Sequence, residues 1–157
     1  MGVEIERFLR LVHALPECTG TESRRYTTFR VRDRPFGYLW PDTATVGLKQ
    51  TLIEQAALVA ERPDVFEEQF TAGGFGWVVA HLDRVELDEL SALTLEAWYL
   101  TAPEELLAST PSPESLVRAG QVGSAGGGGA GDIRSVSDLV AALGADRGRR
   151  AYYRSDL

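Results

Sequence analysis

Residues 26–49 read YTTFRVRDRPFGYLWPDTATVGLK, and this stretch decides the fold. From Tyr26 to Arg32 the side chains alternate. Thr27, Phe29 and Val31 go to one side, and Thr28, Arg30 and Arg32 go to the other. Asp33-Arg34-Pro35 turns the chain, because proline fixes φ and cannot donate to a ladder. Phe36 to Trp40 is a second extended run, Pro41-Asp42 turns again, and Thr45 to Lys49 is a third. Three short strands joined by tight turns form a meander, so the sheet begins antiparallel.

Upstream, Ile5, Phe8, Leu9, Val12 and Leu15 recur at helical spacing until Pro16 stops the run. His13 sits beside that stripe with no second ligand one turn away, so it reads as a solvent-edge residue. Downstream, Thr51 and Glu54 fit a capping box. The helix behind it runs through Ala60 and is expected to bury Leu52, Ile53, Ala56 and Val59; Pro63 ends it. Val65 to Phe70 fits either a helical turn or a short edge strand. After the Gly73-Gly74 turn, Phe75 to Leu82 is apolar on both faces, as in a central strand. Leu87, Leu90, Leu93, Thr94 and Ala97 define a last long helix that ends or kinks at Ala102-Pro103.

A chain of 157 residues with 44% hydrophobic residues can bury one ordinary core. It has no run approaching the ~20 apolar residues of a membrane span, and its first residues lack a signal-peptide pattern. A cytoplasmic protein is expected. Cys18 is the single cysteine, which rules out an intramolecular disulfide and leaves a cysteine metal site without partners. It is expected in a loop after the first helix. The net charge is −7, and the acidic excess lies before Ser109. Long-range repulsion of phosphates follows from that balance. Lys49 is the only lysine among 16 basic residues. The arginine bias is typical of a GC-rich genome, so each arginine is a weaker sign of phosphate binding.

After Ser109 the composition changes. Residues 110–132 are rich in Pro and Gly and read as a linker behind a domain at 1–109. Within 133–157, Val136, Leu139, Val140 and Leu143 share one face of a short helix, followed by a tail that mixes arginine with Tyr152 and Tyr153.

The order helix, three-strand meander, helix, strand with Gly76-Trp77, helix brings a family into view. From Glu6 to about Leu107 the chain resembles the MmcQ/YjbR family. The resemblance rests on Leu15-Pro16, Phe29-x-Val31 with Phe36, and Thr45-Val46-Gly47-Leu48-Lys49. It continues through Pro63-x-x-Phe66, Gly76-Trp77-Val78 with Leu82-Asp83, Glu96-Ala97-Trp98 and Ala102-Pro103-x-x-Leu106. It implies a two-layer α+β domain with a mainly antiparallel sheet of about five strands, Val65 to Phe70 being one, in the order α-β-β-β-α-β-β-α. It also implies DNA binding by a double-wing-like shape. Two positions depart from the pattern. Glu104 and Glu105 stand where basic residues are usual, and His81 stands where an arginine is common.

Arg24, Arg25, Arg30, Arg32, Arg34 and Lys49 gather around the first hairpin and the third strand, and are the candidate nucleic-acid contacts. Arg30 and Arg32 are expected on one outward strand face, with Tyr26 and Trp40 as stacking candidates. The bland alternative is a solvated face whose arginines pair with neighbouring carboxylates. A second reading is a protein-interaction module whose C-terminal helix docks in a groove. A P-loop, a Gly-x-Ser-x-Gly elbow and a His-Glu-x-x-His pair are all missing, so no enzyme, cofactor or metal is expected. Trp77 and Trp98 are expected in the core at helix–sheet contacts, with Pro103 as a family position.

Overall fold

The computed structural model describes residues 2–121. Four α-helices and six strands alternate as α1 (Ile5–His13), β1 (Cys18–Glu22), β2 (Thr27–Val31), β3 (Arg34–Trp40), β4 (Thr45–Thr51), α2 (Leu52–Glu61), β5 (Phe66–Ala72), β6 (Phe75–His81), α3 (Leu87–Thr101) and α4 (Pro113–Gln121). The sheet is antiparallel throughout, in the order β1-β2-β3-β4-β6-β5. The fold is the expected two-layer α+β arrangement, with six strands rather than five.

The extra strand is β1. Cys18, expected in a loop, opens it and pairs with Val31. The Cys18–Glu22 segment has no apolar alternation, yet its threonines suit an edge, and Ser23 bonds the Tyr26 carbonyl to close the turn. The ambiguous segment is β5, a strand with a bulge between Glu68 and Phe70. Residues Phe75–His81 form an interior strand as expected, held between β4 and β5.

The helices cover one face of the sheet. Phe8 of α1, Leu58 of α2, Leu90 of α3 and Leu116 of α4 join Phe29, Leu48 and Val78 in one core. Fully buried Trp98 donates from Nε1 to the Pro16 carbonyl at 3.0 Å, tying α3 to the turn after α1. Inside α3, Thr94 and Thr101 bond back to the carbonyls of Leu90 and Ala97, so burial leaves both hydroxyls satisfied. Gln50 crosses the core to donate to the Leu93 carbonyl at 3.1 Å. Helix α3 ends at Thr101; Ala102 is extended and Pro103 leads into the 3-10 segment Glu104–Ser109.

Two expectations about helices are corrected. Thr51 caps α2 by accepting from the Glu54 N–H at 3.1 Å, as the sequence promised. The helix is nevertheless rotated: Leu52 and Ile53 are 45% and 71% exposed, Ala56 is exposed, and Gln55 and Leu58 face inward. The Gln55 amide sets this rotation by donating to the carbonyls of Phe70 and Trp77 at 3.1 and 2.9 Å. The second correction is α4, which lies inside the 110–132 stretch read as linker. Pro113 takes its first position, and Ser112 Oγ accepts from the Ser115 N–H. Leu116 and Val117 are buried. The expected helix and tail of 133–157 lie outside the described residues. No helix among the described residues is long and apolar enough to cross a membrane.

Candidate nucleic-acid interface

Strand alternation gives the sheet a second face that none of the described α-helices covers. Val46, Leu48, Val78 and Ala80 point toward the helices, so the neighbours between them point away. Tyr38 and Trp40 on β3, Lys49 on β4 and Trp77, Val79 and His81 on β6 therefore share the open face. Trp77 is corrected by this register. It is 6% exposed, but the rings of Tyr38 and Phe70 cover it, not a helix.

The aromatic rings form one continuous set. Tyr38 stands at its centre, with ring centroids 5.9 Å from Tyr26, 5.9 Å from Trp40 and 5.3 Å from Trp77. Phe70 of β5 stacks on Trp77 at 5.4 Å. Tyr26 and Phe70, at the two ends, are each 40% exposed. Gly47 lies beneath this set. A Cβ there would stand 3.1 Å from the Trp40 ring and 2.5 Å from Gln69 Oε1, so only glycine lets both side chains lie flat against the strand.

The six candidate cations separate into four groups, with Arg32 on its own. Arg30 and Lys49 lie on the open face. Arg30 donates to Thr21 Oγ1 at 3.4 Å, and Lys49 sits over the Phe75 ring at 4.2 Å. They stand at nearly the same height two strands apart, which is roughly 10 Å at a ~4.8 Å strand spacing. Arg24 and Arg25 lie in the exposed turn beside Tyr26, next to a cleft of about 370 Å³ that they line with His13 and Asp42. Arg34 is exposed at the opposite end of the sheet. Arg24, Arg25, Arg30 and Arg34 form no ion pair with a described residue.

Arg32 departs from the expected pair with Arg30. Its φ of +56° puts it in the left-handed region, past the end of β2. The side chain swings to Glu17, donating from Nε and Nη2 at 2.6 and 3.2 Å, and reaches Glu105 from Nη1 at 3.4 Å. The Arg32 hydrogen bond holds the Glu17 carboxyl below its usual range. The acidic residue at 105 thus has a structural use: it helps to hold this arginine away from the open face. His81, the other departure, contacts Glu67 on the open face.

Cys18 shows no sign of chemistry. Burial pushes its thiol up to about 11, which keeps it protonated and a poor nucleophile. No group of three or more His, Cys, Asp or Glu suited to a metal occurs among the described residues.

The YjbR family model matches residues 13–100, more than half of the chain. This protein belongs to the YjbR family. Its structure is similar to the crystal structure of a Deinococcus radiodurans protein with a DUF419 domain. The TM-score is 0.58 at 16% identity, over 74% of this chain and 88% of that one, and the likeness is one of fold. No curated protein matches the chain.

Proposed function

We propose that this YjbR-family protein is a non-catalytic, cytoplasmic DNA-binding protein whose open sheet face meets the nucleic acid. Arg30 and Lys49 would contact phosphates, with Arg24, Arg25 and Arg34 at the rim. The observation that carries this reading is the face itself. Two cations and a linked set of five aromatic rings share a surface with no helix over it among the described residues. Guanidinium and ammonium groups supply phosphate affinity, and flat rings supply surface for bases. The family resemblance points the same way.

Fluorescence anisotropy of the full chain tests it, with labelled DNA at low and at near-physiological salt. Binding that weakens in an Arg30→Ala/Lys49→Ala variant, with a flatter salt slope, is expected. Absence of binding at low salt refutes it. One observation favours a protein partner instead: Leu52 and Ile53 are apolar and exposed on α2. Under the DNA reading, Ile53→Asp leaves DNA affinity unchanged.

A further inference from the structure

The open face has more to offer a base than a phosphate. Its cations are two, while four of its five linked rings, all but buried Trp77, are at least partly exposed, and the set runs across the sheet from the start of β2 to β5. Four strand steps at ~4.8 Å make a span of roughly 19 Å. At a stacked rise of ~3.4 Å, that span holds about five nucleotides. A duplex keeps its bases paired and stacked inside, and presents a rigid cylinder of phosphates. It would gain little from a ring-covered sheet on a chain of net charge −7. An unpaired strand presents both a π-face for Tyr26, Trp40 or Phe70 and a phosphate for Arg30 or Lys49. Stacking tolerates every base, because each has a π-face, and Arg30 and Lys49 supply the positive charge that the backbone needs.

We infer that the ligand of this face is single-stranded nucleic acid, held by stacking on the ring set between Tyr26 and Phe70, with Arg30 and Lys49 fixing the backbone. The inference rests on the nucleic-acid reading above and narrows its substrate. The charges of the face fit it. Glu67 of β5 lies on that side and is engaged by His81, three strands away from Arg30 or more. In a face-to-face pair of copies the same two cations recur, and Glu67 of each is already engaged by His81.

The test uses the full chain and three labelled probes: oligothymidylate and oligouridylate, each of about 20 nucleotides, and a duplex of the same length. Anisotropy reads affinity, and quenching of tryptophan fluorescence reports contact with the rings. Either single strand should bind at least about tenfold tighter than the duplex, and which of the two is preferred identifies DNA or RNA as the source. Tyr26→Ala/Phe70→Ala removes two exposed rings and should weaken single-strand binding at least about tenfold, given the usual worth of a stacked base. Circular dichroism and the urea midpoint show that this variant is folded. Duplex binding as tight as single-strand binding overturns the inference and leaves the DNA reading intact. Unchanged affinity in the folded double variant overturns the site. Binding of no probe at about 50 mM salt overturns both readings. So does a doubled mass by light scattering that Tyr26→Ala/Phe70→Ala returns to a monomer, since a second copy would then cover the face.

Discussion

The boundary of the folded domain can be moved by experiment, because α4 lies where composition places a linker. Leu116 and Val117 are 0% and 1% exposed, and a Cβ on Gly120 would come within 3.0 Å of Leu87. Full burial of a Leu or Val side chain stabilises by about 1.5–3 kcal/mol. Ending the chain after Ser112 removes both, about 3–6 kcal/mol, and uncovers apolar surface on α1 and α3. Such a loss is comparable to the ~5–15 kcal/mol that holds a domain of this size together. Leu116→Ala alone should cost about 2–5 kcal/mol, since the neighbours collapse only partly into the space. With a urea slope near ~1.5 kcal/mol per molar, its midpoint should fall by roughly 1–3 M. Urea titrations followed by tryptophan fluorescence compare chains ending at Gln121 and at Ser112 with Leu116→Ala. The chain ending at Gln121 should keep a cooperative transition, and the one ending at Ser112 should lose most of it. Coincident transitions for the two truncations would show that α4 contributes nothing and that the boundary lies at 109.

Three further outcomes are expected. Trp98→Phe should lower stability by about 1–3 kcal/mol, because the Pro16 carbonyl loses its donor and a gap opens in the core; thermal unfolding measures it. The Cys18 thiol is raised from 9.0 to about 11 in the folded chain, so its stabilising share is complete below pH 9 and is lost as pH rises toward 11; Cys18→Ala should flatten this alkaline limb, by less than about 2 kcal/mol for a partly exposed group, as urea midpoints between pH 8 and 11 would show. Arg32→Ala should leave nucleic-acid affinity and its salt slope unchanged, whereas Arg30→Ala should flatten the slope by roughly 0.7–0.9; equal losses in the two variants would return Arg32 to the binding face.

The meander was legible because Phe29, Val31, Leu39, Val46 and Leu48 alternate with polar or aromatic neighbours, and burial rewards that period directly. The cap at Thr51 was legible because its chemistry is local. Features that needed a distant partner were hidden. The rotation of α2 is set by two carbonyls on β5 and β6, against the pull of its own apolar residues. Helix α4 has only two buried apolar side chains, yet Ser112-Pro113 is a start signal that composition masked. The site was half legible. Tyr26 and Trp40 were candidates as aromatics beside the arginine-bearing hairpin, but Trp77 and Phe70 join them only through the strand order β3-β4-β6-β5. Arg30 and Arg32 looked equivalent because alternation is blind to where a strand ends. The left-handed backbone at Arg32 separates them, and Glu17 and Glu105 take the second arginine.

An acidic protein can hold a nucleic acid if its negative charge is kept behind the surface that binds. Glu6, Glu61, Asp88 and Glu89 belong to the helices of the layer on the far side of the sheet from Arg30 and Lys49. That layer stands about 10 Å away, while the screening length at ~0.15 M salt is about 8 Å. At physiological salt the face therefore acts through its own charges, Arg30 and Lys49 in one part and Glu67 beside His81 in another. At ~0.01 M salt the length is about 30 Å, and the whole charge of −7 repels the ligand. Two phosphate contacts on a single strand give a logarithmic salt slope of only about −1.4, and the repulsion at low salt flattens it further. The affinity for oligothymidylate should thus change little between low and physiological salt, unlike a duplex binder with six or more contacts. A slope steeper than about −3 would put the affinity in phosphate contacts beyond the face, at Arg24, Arg25 and Arg34, and would refute a mode based on stacking.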